Sequence, residues 1–113
     1  MRTGVKLFVC LWLLVAVSPA VAQEVVGTIQ GTVLDPAGAA VPGATVELTG
    51  LAIAPVKVTT DAVGMYRFPN LAPGRYTLTV TMSGFKTWKQ ENIDLPLGKT
   101  LTVDAKLELG AVT

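Results

Sequence analysis

Ser83 and Lys86 stand at the serine-x-x-lysine spacing in which a lysine activates a serine for acyl transfer. That chemistry needs a helical turn to bring the two side chains together. Here Gly84 lies between them and strand-like runs flank them, so the pair falls in a turn. Gly98-Lys99-Thr100 has the closing residues of a phosphate-binding loop. The leading glycine of such a loop would fall where Ile93 stands, and a strand follows instead of a helix. Asp35, Asp61, Asp94 and Asp104 are the carboxylates that could meet a metal ion, but they belong to separate turns or outward faces and lack the spacing of a calcium loop. They read as turn caps or solvated groups. The chain of 113 residues has no histidine and one cysteine, Cys10, so the commonest general base and the usual zinc ligands are missing. No catalytic, cofactor-binding or metal-binding residue is expected, and neither Asn70 nor Asn92 starts a glycosylation sequon.

Binding is the remaining class of function. Trp88, flanked by Lys86 and Lys89, has two readings: a platform on which a sugar ring could stack, or an amphipathic cap on the edge of a sheet, which is the commoner use. Leu51 and Ile53 sit in the apolar, irregular stretch from Gly50 to Pro55, expected to be a loop. They would form a small contact surface if exposed. The plainer reading has both tucked against the body of the domain.

The first residues look like a targeting segment. Arg2 and Lys6 precede an apolar run from Leu7 to Val17, and Ala20-Val21-Ala22 has the small-x-small pattern read by signal peptidase. Residues 1–22 are therefore expected to be a signal peptide cleaved between Ala22 and Gln23, leaving a domain over 23–113. Cys10 leaves with it. Without Arg2 and Lys6, seven basic residues face eight acidic ones, scattered along the chain. No basic stripe marks a nucleic-acid partner, and no transmembrane segment remains.

The elements that must position these side chains are strands. Alternation with a period of two recurs over Thr28–Leu34, Ala44–Thr49, Val56–Thr60, the segments around Tyr66–Phe68 and Tyr76–Thr81, Lys86–Leu95 and Thr100–Leu109. Gly, Pro, Asp and Asn lie between them. Pro73-Gly74 is expected to form a type II turn with glycine at positive φ, and Leu71 to plug the connection from below. Within Lys86–Leu95 the phase changes between Trp88/Gln90/Asn92 and Ile93/Leu95, which predicts a β-bulge. Thr100–Leu109 has the cleanest alternation, with Leu101, Val103, Ala105, Leu107 and Leu109 expected inside. About seven short strands and no helical period predict an all-β, antiparallel β-sandwich of immunoglobulin-like shape.

The pattern Gly31-x-Val33-x-Asp35-x-x-Gly38-x-x-Val41-Pro42-Gly43-Ala44-x-Val46-x-Leu48 is followed by Thr60-x-x-x-Gly64-x-Tyr66-x-Phe68-x-x-Leu71-x-Pro73-Gly74-x-Tyr76-x-Leu78-x-Val80 and then Gly84-Phe85. It closely resembles the carboxypeptidase regulatory-like domain, a transthyretin-like sandwich with a carbohydrate-binding-like fold. The resemblance implies a non-catalytic accessory module. Such modules follow the signal peptide of many TonB-dependent outer-membrane receptors of Gram-negative bacteria, the Oar-like group included, ahead of plug and barrel; others sit on secreted peptidases and surface proteins. The implied location is the periplasm or cell outer membrane. The implied partners are envelope proteins or the remainder of a receptor, with carbohydrate as the alternative. The family motif consists of turn and core positions and brings no active site.

Overall fold

The structure is a computed structural model that describes residues 26–110; the expected signal peptide and its cleavage site lie outside them. Eight strands form two sheets: β1 (Gly27–Leu34), β2 (Thr45–Gly50), β3 (Ile53–Thr59), β4 (Met65–Leu71), β5 (Gly74–Thr81), β6 (Trp88–Leu95), β7 (Thr100–Thr102) and β8 (Ala105–Lys106). One sheet has the order β4-β1-β7, with β8 also on β1; the other has the order β3-β2-β5-β6. The all-β sandwich is as expected. Its hairpins are antiparallel, whereas β7 and β8 run parallel to β1. No helix among the described residues is long and apolar enough to cross a membrane.

Alternation in the sequence translates directly into a filled interior. Along β1 every second residue is buried, and Ile29 and Val33 meet Val46, Leu48, Leu78 and Val80 from the opposing sheet. Tyr66 and Phe68 fill the same layer, their rings tilted at 59° with centroids 5.8 Å apart. Leu71 is buried as the expected plug. The bulge predicted in β6 is present. Tyr76 pairs with Ile93 but Leu78 with Gln90, and Asn92 takes a left-handed φ of 59°, which rotates Ile93 and Leu95 into the core.

Three local expectations need correction. Gly50–Pro55 is not a loop: β2 runs to Gly50, β3 starts at Ile53, and only Leu51-Ala52 turn between them. At Pro73-Gly74 there is no type II turn, because Gly74 already belongs to β5 and lacks positive φ; the positive φ falls instead at Asn70 (60°), inside β4, where the register with β1 slips by one residue between the Gly27–Leu71 and Ile29–Phe68 pairs. Thr100–Leu109 is two short strands, not one. Between them the Val103 carbonyl lies so close to Gly31 that any Cβ there would collide with it, and it accepts the Tyr66 hydroxyl proton at 2.5 Å. The Asp104 carboxylate then accepts the Thr32 N–H at 2.9 Å, standing in for a backbone carbonyl. Leu101 and Val103 are therefore only half-buried, and Leu109 is exposed.

Registers place the connections at two ends of the sandwich. At the near end, where the chain enters β1, lie the turn after Gly50, the Leu71–Gly74 connection and the Leu95–Thr100 turn. At the far end lie the 35–44 loop, the 60–64 turn, the 82–87 connection and the departing chain at 107–110.

Candidate functional site

The far end is held by hydrogen bonds. Asp35 and Asp61 open two copies of one turn, Asp-x-x-Gly-x. In each, the carboxylate accepts two backbone N–H groups: Ala37 and Ala39 at Asp35, Val63 and Met65 at Asp61, all at 2.8–3.0 Å. Gly38 and Gly64 supply the positive φ that closes them, at 88° and 79°. The aspartates thus cap turns, as expected. Thr60 is buried; its hydroxyl donates to the Val41 carbonyl at 2.7 Å and accepts the Ala44 N–H at 2.9 Å, pinning the Val41–Ala44 corner to the end of β3.

The near end is built differently. Leu51 is 100% exposed and Leu97 60% exposed, with Pro96 and the buried Leu95 between them. The two expectations for the hairpin tip divide: Leu51 projects into solvent, while Ile53 packs partly buried against the core. Polar fastenings are few. The Tyr76 hydroxyl donates to the Ala72 carbonyl at 2.6 Å, and Arg75 meets Asp94 at 2.9 Å on the surface.

Trp88 starts β6 opposite Val80, on the core side of its sheet, and is half-buried against the core. This is the cap arrangement. Beside it, a shallow groove runs between the free edges of β6 and β8, lined by Lys86, Thr87, Trp88, Lys89, Lys106 and Glu108. Trp88 and Leu51 are not brought together: Leu51 borders Arg75, Glu91 and Asn92, toward the other end of β6. Lys106 and Glu108 escaped the sequence reading as neighbours of Trp88. Their outward parity along 100–109 was visible, but the strand pairing that sets them beside β6 was not.

Burial pushes the Tyr66 hydroxyl far above the usual tyrosine range, with the Asp104 carboxylate adding to it; burial also raises Tyr76. Both hydroxyls are neutral donors to carbonyls, not acids. Ser83 is exposed in its turn, and Lys86 points instead to Glu108 at 3.7 Å. Among the described residues no three His, Cys, Asp or Glu side chains are grouped to hold a metal ion.

The TonB-dependent transporter Oar of Myxococcus xanthus is 41% identical to this chain over 95 residues. The match takes in 80% of the chain, which spans only 8% of the transporter's length. Two solved structures share the fold. Catechol 1,2-dioxygenase of Pseudomonas arvilla matches with a TM-score of 0.64 at 13% identity, over 83% of this chain and 55% of the enzyme. A putative carbohydrate binding protein of Bacteroides uniformis matches with a TM-score of 0.59 at 16% identity, over 72% and 40% of the respective chains. At such identities they show the fold alone. Residues 28–108, from the start of β1 past the end of β8, match the carboxypeptidase regulatory-like domain, and the chain belongs to that family.

Proposed function

We propose that this domain is a non-catalytic, exported accessory module of a TonB-dependent outer-membrane receptor, working by protein contact on the periplasmic side. The observation that supports it is the 41% identity to the Oar transporter across the sandwich. In this reading residues 1–22 direct export, cleavage falls between Ala22 and Gln23, and the module spans 23–113. Leu51 is the first residue we assign to the contact surface, with Ile53 supporting it from below. The chain's chemistry favours the same reading: it has no histidine, and its serine–lysine pair is splayed across an exposed turn.

Fractionation of the native cells tests this, with an antibody raised against 23–113. A band far larger than this chain in the outer membrane supports receptor membership. A band of this chain's size in the soluble periplasm overturns it in favour of a free-standing domain. The carbohydrate alternative needs an aromatic face open to a sugar ring. Trp88 is half-buried, and Tyr66 and Tyr76 are buried. Retention on a glycan array that disappears in Trp88→Ala would favour that alternative; we expect none.

A further inference from the structure

We infer that the groove between β6 and β8 is a docking site for an acidic, extended peptide segment, which adds as a strand to the free edge of β6. This deepens the protein-contact reading by giving the partner a chemistry. Three observations carry it together. The groove is lined by three lysines, Lys86, Lys89 and Lys106, beside one indole, and by a single acidic residue, Glu108. Lys106 has no carboxylate within ion-pair distance among the described residues, and Lys86 and Lys89 have only exposed ones, Glu108 at 3.7 Å and Glu91 at 3.4 Å. Exposed pairs of this kind contribute little and are readily exchanged.

The second observation is the backbone. β6 is the last strand of its sheet, paired with β5 alone, so its outer side presents unpaired N–H and C=O groups from Trp88 up to the bulge at Asn92. The third is that the chain itself already uses this edge. Just before β6, Phe85 bridges Leu109 antiparallel, the Lys86 N–H donates to the Glu108 carbonyl at 2.8 Å, and the Gly110 N–H donates to the Gly84 carbonyl at 3.0 Å. The line of this edge therefore accepts a strand where 108–110 lie, and that partner stops short of Trp88. Lysines along an edge oppose pairing with a basic or apolar strand but select an acidic one, which is the logic of specificity by repulsion. The half-buried Trp88 gives an incoming alternate side chain an apolar wall.

The test is fluorescence anisotropy with the full chain and a labelled Glu-Val-Glu-Val-Glu-Val peptide at low salt. Saturable binding is expected, weakened about tenfold by Lys89→Glu with Lys106→Glu and unchanged by Lys57→Glu on the opposite edge of the same sheet. Circular dichroism of the variants confirms folding. Equal binding of a Glu-Pro repeat, which keeps the charge and loses the backbone donors, overturns strand addition. Equal weakening by Lys57→Glu overturns the site in favour of diffuse attraction. Tighter binding of polygalacturonate than of the peptide assigns the groove to an anionic saccharide and overturns the peptide. Absence of any binding overturns the proposal outright. None of these results bears on receptor membership, which the fractionation decides separately.

Discussion

The two ends of the sandwich are held by different physics. At the far end, backbone groups in the 35–44 loop and the 60–64 turn are satisfied by Asp35, Asp61 and Thr60, whose side chains replace strand neighbours the turning chain has lost. At the near end, turns of two to four residues leave fewer orphan groups, and the surface there carries exposed leucines at Leu51 and Leu97. An end stiffened by hydrogen bonds has its conformation fixed by its own residues. An end that shows leucine to water has surface left over for something else. Side-chain hydrogen bonding and exposed leucine are thus divided between opposite poles of one small domain, and the lysine-lined groove at Trp88 adjoins the hydrogen-bonded pole.

The division is broken most severely at Thr60. Thr60→Val keeps the shape and removes the hydroxyl, so the Val41 carbonyl and the Ala44 N–H are both left unsatisfied in a buried corner. We expect a loss of about 2–4 kcal/mol, read as a fall in thermal midpoint of roughly 10–20 °C. Thr60→Ser, which keeps the oxygen, should recover most of it. A Val variant as stable as the parent would mean that water replaces the hydroxyl there.

The two tyrosines allow a finer comparison, since each fastens one carbonyl. Tyr66→Phe strands the Val103 carbonyl at the break between β7 and β8 and should cost about 1–2 kcal/mol; Tyr76→Phe, at the more open near end, should cost less. Both groups have folded values raised above the unfolded one, chiefly by burial. The stability they contribute is therefore full below about pH 10, the unfolded tyrosine value, and is lost as the pH rises through the folded values. Urea titrations from neutral to alkaline pH should show the deficit of Tyr66→Phe shrinking above about pH 10, because only the parent must bury an ionising phenol. A constant deficit would contradict the burial of that hydroxyl. Smaller still is Asp61→Ala, which frees the N–H groups of Val63 and Met65 at an exposed turn and should cost about 1 kcal/mol, with Asp61→Asn retaining part of the capping.

What the sequence made legible follows from whether the governing signal was local. The β6 bulge was readable because Trp88, Gln90 and Asn92 fall out of phase with Ile93 and Leu95 in one stretch. The Asp-x-x-Gly turns were readable because cap and glycine lie within four residues of each other. The split of 100–109 was not readable, because its causes, Gly31 and Tyr66, are remote in sequence and act through the backbone of Val103. Alternation there described the faces of a strand but not its breadth. For the same reason Trp88 and its lysine neighbours in sequence, Lys86 and Lys89, could be singled out, while Lys106 on another sheet could not. Pro73-Gly74 misled because turn composition marks a connection without fixing its backbone; the positive φ falls three residues before Pro73, at Asn70, in a β4 bulge set by pairing with β1, which is remote in sequence.

The smallest expected effect on stability bears most on function. Leu51 has no burial to lose, so Leu51→Ser should change the unfolding free energy by no more than about 0.5 kcal/mol. Serine suits the tip of a tight turn at least as well as leucine does. A leucine held in water at that position therefore has no role in the fold that serine could not fill. If the near end is a contact surface, the same substitution should weaken pull-down of envelope proteins by the domain while leaving its thermal midpoint in place. Ile53→Ser offers the converse, because Ile53 packs against the core and should lose stability whatever the domain binds. Leu51→Ser with both stability and capture intact would remove the near end as the contact surface and leave the groove beside Trp88 as the face to pursue.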